Sequence, residues 1–176
     1  MTETAEPRQW WKTALLTVPA IVFVGWMMGE VSNSGFGNSW YARLAKPAFQ
    51  PPGWAFGVVW TGLYVLLGIA LAMILAAPPT PLRRTALTLF FVQLALNFAW
   101  SPIFFGRAMI EVGLVVLLAM LFTATAAGNL FRRIGPVAGW LMLPYLAWLC
   151  LATALNYETG RLNPGADSAP LGIIGE

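Results

Sequence analysis

The side chains here that are able to do chemistry are aromatic rather than ionisable. The 176-residue chain carries nine Trp, eleven Phe and four Tyr, but one Cys and no His. Without histidine, and with Cys150 alone, a single chain offers no histidine-ligated haem, no Ser-His-Asp triad and no disulfide framework, and no bound metal is expected. The aromatic residues fall into stripes at helical spacing. Phe56, Trp60 and Tyr64 recur at i, i+4 and i+8, Tyr145, Trp148, Ala152 and Leu155 share a second face, and Gln93, Asn97 and Ser101 recur every four positions on a third. If such faces converge they enclose a cavity with flat aromatic walls and a few polar handles, suited to a large planar apolar ligand. Aromatic core packing and, for Gln93 and Ser101, hydrogen-bonded glue between helices are the competing readings.

These stripes need elements to carry them, and the composition says what those are. The chain is 59% apolar and only 10% charged, whereas soluble domains run to about a quarter charged residues. Charge-free stretches cover residues 13–29, 47–82 (trimmed by Pro51, Pro52, Pro78 and Pro79 to 53–77), 85–106, 112–131 and 134–157. About 20 apolar residues in a helix cross the hydrocarbon layer. The expected fold is therefore an all-α, multi-pass integral membrane protein. It has five transmembrane helices near 12–31, 53–77, 84–106, 111–131 and 135–157, forming one domain over 1–159, with a long ordered loop between the first two helices. The Gly-, Pro- and Ala-rich segment 160–176 reads as a flexible tail. No run alternates polar with apolar residues, which argues against a membrane barrel. The first helix follows Glu3 and Glu6 and precedes no small-residue cleavage site, so it reads as retained.

The net charge of +3 resembles a nucleic-acid signal, but the cations flank apolar runs, and no nucleic-acid partner is expected. Arg8, Lys12, Arg83, Arg84, Arg132 and Arg133 fall on one side of the bilayer and Arg43, Lys46, Arg107 and Arg161 on the other, which favours the N-terminus inside. No ionisable residue is expected in mid-span, and Glu30 ends the first helix. Lys12 and Lys46 lie outside the spans, so there is no retinal Schiff-base lysine. These absences weigh against ion-coupled transport and general acid–base catalysis. At about 1.5 Å per residue, Trp26, Trp60, Trp100 and Trp148 lie roughly 5 to 14 Å from the helix ends on the long-loop side, all in one leaflet. Trp10, Trp11, Trp40, Trp54 and Trp140 read instead as a headgroup belt. Pro19, Pro102 and Pro144 are expected to kink their helices, and the pairs Gly25/Gly29 and Ala95/Ala99 permit close helix approach.

The long loop carries the most specific pattern. Residues 40–53 read WYARLAKPAFQPPG, too rich in aromatics and prolines for a simple linker, and form an expected lid. The run resembles W-Y-x-x-L-x-K-P-x-x-x-P-P of the TspO/MBR family, the tryptophan-rich sensory proteins related to the translocator protein. Phe56, Trp60, Tyr64, Asn97, Trp100, Phe104, Phe105, the run Pro144-Tyr145-Leu146-Ala147-Trp148 and residues 152–156 follow in the family's order.

The resemblance implies a five-helix bundle, usually a homodimer, that binds porphyrin-type molecules such as protoporphyrin IX and haem as ligands, with no obligatory cofactor. It implies a pocket lined by Tyr41, Trp60, Asn97, Trp100, Trp148, Ala152 and Leu155, to which the stripes add Phe56, Tyr64 and Tyr145. Residues 155–161 fit the loose L/V-x-Y-x-K/R pattern proposed for sterol contact through Leu155, Tyr157 and Arg161, with Glu158 and Gly160 inside it. The reading is a membrane receptor or sensor for tetrapyrroles in a bacterial cell envelope or, less favoured, a mitochondrial outer membrane. A transporter of porphyrins or other amphipathic solutes, and a light-dependent porphyrin-degrading enzyme using Trp60 and Trp148, are the alternatives. A receptor would have no catalytic residues.

Overall fold

A computed structural model describes residues 9–174. Five helical runs in it are long and apolar enough to cross a membrane. The first is α1, Trp10–Val31, and the loop after it holds the short α2, Ser39–Arg43. Next come α3, Gly53–Ala76, and α4, Pro81–Ser101, which continues into a π-helical turn at Pro102–Gly106. The chain then forms α5, Ile110–Ile134, and a fifth span split into α6, Pro136–Trp140, and α7, Leu143–Leu162. Among the described residues there is no strand.

The boundaries that differ from expectation have local causes. Helix α4 begins at Pro81 because the Thr80 hydroxyl accepts from the backbone N–H of Arg83 at 3.2 Å, and proline suits a first helical position. The fifth span is not one helix. Its interruption at Leu141 and Met142 leaves Pro144 in the first turn of α7, where its missing N–H costs nothing. Pro102 instead opens the π turn, whereas Pro19 sits within α1 without interrupting it. Helix α7 also runs past the expected residue 157 to Leu162.

The helices close a ring in which α1 packs on α3 and α4, α4 on α5, α5 on α6 and α7, and α6 back on α3. Glycine sets two of these approaches. A Cβ on Gly68 would stand 2.6 Å from the Val18 Cα, and one on Gly139 would stand 2.6 Å from the Arg132 Cα. Away from the long loop the ring is filled solidly, with Leu67, Ile74, Phe90 and Phe131 buried and the last two rings stacked at 5.4 Å. Outward faces are apolar: Leu16, Phe23, Val58, Phe91 and Phe122 are exposed, while Gln93, Asn97 and Asn156 are buried. That inside-out distribution suits lipid as the surrounding solvent.

The segment after Leu162, expected to be loose, folds back onto the long-loop end of the bundle. Asp167 accepts from the Glu111 N–H at 2.7 Å, and the Glu111 carboxylate accepts the N–H groups of Leu171, Ile173 and Ile174. Its small-residue composition concealed this, because backbone amides, which every sequence has, supply most of the bonds.

Candidate functional site

The lid is built around one cap. Asn38 accepts from the backbone N–H groups of Trp40 and Tyr41 at 3.1 and 3.0 Å, starting α2, and its amide donates to the Phe105 carbonyl at 3.1 Å. Helix α2 is thereby tied to the π turn below it. Tyr41 consequently points inward, 7% exposed, against Phe36, Phe104 and Phe105, and its hydroxyl donates to Gln50 at 3.0 Å. The Lys46 ammonium donates to the carbonyls of Tyr41 and Leu44 and lies 4.2 Å above the Tyr41 ring. Burial pushes the Tyr41 phenol above its ordinary value, partly offset by Gln50, and pushes the Lys46 amine down.

Beneath the lid lies a cavity of about 730 Å³. Helix α3 contributes the stripe Phe56, Trp60 and Tyr64. Trp60 lies 5.5 Å from Tyr64 and meets Trp148 of α7 edge-on at 6.2 Å, and Phe56 meets Trp148 at 5.7 Å. Gly25 of α1 leaves room for Tyr64, since a Cβ there would fall 2.1 Å from its ring. Trp100 stacks on Phe104 at 4.9 Å and donates its indole N–H to Asn156 at 3.4 Å. The Trp148 indole N–H is buried and has no partner among the described residues.

The polar face of α4 divides three ways. Ser101 meets the Ser34 hydroxyl of the long loop. Asn97 accepts from the Tyr64 hydroxyl at 2.9 Å and donates to that of Tyr145 at 3.1 Å, which in turn donates to Gln93 at 2.7 Å. Gln93 is thus interhelical glue, whereas Asn97 belongs both to the network and to the cavity wall.

All but one of the sequence-derived ligand residues line this cavity: Tyr41, Phe56, Trp60, Tyr64, Asn97, Trp100, Trp148, Ala152 and Leu155. Tyr145 does not. It is fully buried behind the wall, where its hydroxyl bridges Asn97 and Gln93. The sterol pattern likewise fails to form one surface. Leu155 faces the cavity, Tyr157 is 47% exposed, and Arg161, one turn beyond Tyr157, pairs with Glu158 at 2.6 Å. Sequence reading missed Trp26 and Trp54 as wall residues, along with Gln50, Met120 and Asn156. Depth placed Trp26 in the right leaflet, but its helix showed no polar partner. Trp54 sat where a headgroup belt is expected, and Met120 gave no signal.

The fold and site define a class: a five-span helical membrane protein with an aromatic-walled cavity under an ordered lid. The chain belongs to the TspO/MBR family, whose pattern it matches over residues 16–162. Similar proteins include the human protein named translocator protein, 39% identical over 84% of this chain and 92% of its own length. Protein CrtK of Rhodobacter capsulatus is 36% identical over 85% of this chain and 95% of its own. The tryptophan-rich protein TspO of Archaeoglobus fulgidus is 39% identical over 85% and 94%.

Proposed function

We propose that this membrane protein is a receptor that takes porphyrins, or similar planar apolar molecules, into the cavity beneath its lid. The observation that carries the reading is a single enclosure of about 730 Å³ that holds Trp60, Trp100 and Trp148 together with Asn97. Flat rings favour stacking on a flat ligand, and a few polar groups fix its orientation. The unpartnered Trp148 N–H supports the reading, because a buried donor is costly unless something accepts from it. The test is a titration with protoporphyrin IX followed by tryptophan quenching. Trp148→Leu keeps the wall apolar but removes the flat ring and the donor, so it should weaken binding by roughly ten-fold or more with the fold intact. Unchanged affinity would return Trp148 to a packing role.

A second reading, light-dependent breakdown of the porphyrin, is favoured by two oxidisable indoles in contact on one wall, Trp60 and Trp148. Trp60→Phe separates the two readings, because Phe stacks but is much harder to oxidise. A receptor should lose porphyrin in light only in proportion to the ligand it still binds. Breakdown lost selectively in Trp60→Phe, with binding kept, would make the protein an enzyme.

A further inference from the structure

The C-terminal segment meets the lid as well as the bundle. Asn163 and Ala45 form a closed pair across 118 positions of sequence: the Ala45 N–H donates to the Asn163 side chain at 2.7 Å, and that amide donates back to the Ala45 carbonyl at 2.9 Å. Three residues on, the Ala166 carbonyl accepts from the Trp40 indole at 3.2 Å. Both ends of α2 are therefore held by the chain that follows α7. That chain is fixed in turn at α5. Asp167 accepts from the Glu111 N–H, Ser168 donates its N–H to the Ala108 carbonyl at 3.0 Å, and the Glu111 carboxylate gathers the N–H groups of Leu171, Ile173 and Ile174. Ile174 and the lid residues Tyr41 and Leu44 are buried in one apolar cluster with Phe104, Ile110 and Leu114.

We infer that the C-terminal segment is a strap that holds the lid shut over the cavity, with Glu111 as its anchor. Glu111 does not line the cavity, so it is a positioning residue that acts through the strap. An ionised carboxylate accepting several backbone N–H groups is among the stronger hydrogen-bonding arrangements and is worth more than a neutral amide in the same place. Apart from the strap, the lid is held to the π turn by the Asn38 amide on the Phe105 carbonyl and within itself by Tyr41 on Gln50 and Lys46 on the Leu44 carbonyl. The strap adds contacts from the far end of the sequence, so releasing it should lower the free energy of lid opening while the five spans stay packed. The consequence for ligand exchange rests on the cavity being a binding site, but the consequence for the lid does not.

The experiment is hydrogen exchange on the full chain in lipid nanodiscs, without ligand, comparing the unaltered protein with Glu111→Gln, Leu171→Pro and Asn163→Ala. Glu111→Gln should speed exchange roughly ten-fold both in residues 171–174 and in residues 40–45. Leu171→Pro removes one clamped N–H at an exposed tail position and should do the same to a lesser degree, which covers the case where Glu111→Gln does not assemble. Asn163→Ala should free residues 40–45 while residues 171–174 stay protected. Faster exchange in 171–174 with an unchanged lid, in whichever anchor variant folds, would overturn the inference, as would an unchanged lid in Asn163→Ala. A parallel arm measures protoporphyrin IX release. If the lid loosens and porphyrin binds neither the variants nor the unaltered protein, the strap stands and the porphyrin reading falls.

Discussion

Tyr41 shows how one residue carries both lid structure and a pH response. Its ring fills the space between the lid and the π turn, and its hydroxyl reaches Gln50, so closing the lid takes a phenol out of water. Burial raises its pKa above the ordinary 10.0, which means the closed lid prefers the neutral phenol. The sign follows from linkage: this contribution to lid closure is fully present below pH 10.0 and is lost as pH rises through the elevated value. Lys46, above the same ring, is pushed the other way by burial and gives up its proton more readily than an exposed lysine. The difference in tyrosinate absorbance near 295 nm between the unaltered protein and Tyr41→Phe should therefore show one phenol ionising above 10.0. A Tyr41 component at the ordinary value would mean that the lid is open in solution.

At the scale of elements, glycine sets how closely α1 approaches α3. The Thr17 hydroxyl donates to the Gly68 carbonyl at 2.8 Å, a contact possible only because no side chain separates the two backbones. Lipid provides no hydrophobic drive between apolar helices, so close packing and interhelical hydrogen bonds must hold this pair. Gly68→Ala drives a methyl into the Val18 backbone, which cannot give way like a flexible side-chain tip, and should cost about 1–3 kcal/mol. The expected result is a lower melting temperature in detergent, with α1 becoming the first span accessible to protease or exchange. Gly57, whose added Cβ meets nothing within 4 Å, is the control: Ala there only gains helix propensity, so equal destabilisation would show that the loss at Gly68 does not come from the Val18 contact.

The whole molecule is a ring of five spans, solid at one end and hollow at the other, with an apolar outside. An odd number of crossings puts the two termini on opposite sides of the bilayer. A reporter fused before Met1 and one fused after Glu176 should give opposite accessibility to a membrane-impermeant reagent in sealed vesicles. Matching accessibility would remove one span, and α1 is the first to question, since little of it is buried within the bundle. The strap adds a constraint at this scale, because a fusion after Glu176 begins only two residues beyond the described Ile174, which is buried beside the lid. A short flexible spacer there keeps the reporter from testing the strap instead of the topology.

The sequence by itself determined the five spans and the aromatic stripes that form part of the cavity wall. Hydropathy and four-residue spacing are local quantities, and a helix carries them unchanged into the fold. Phe56, Trp60 and Tyr64 share a face whatever packs against it, and so do Asn97 and Ser101. Only the tertiary structure decided what each face meets. Tyr145 shares its α7 face with Trp148, yet lies against α4 with its hydroxyl between Asn97 and Gln93, whereas Trp54, at a helix end suited to lipid headgroups, joins the wall. The tail followed the same division. Its Gly- and Pro-rich composition reads as loose because composition reports local preference, while its order comes from Glu111 and Ala45, dozens of residues or more away in sequence. Such bonds exist only once the helices have brought those partners together, and no periodicity along the chain encodes them.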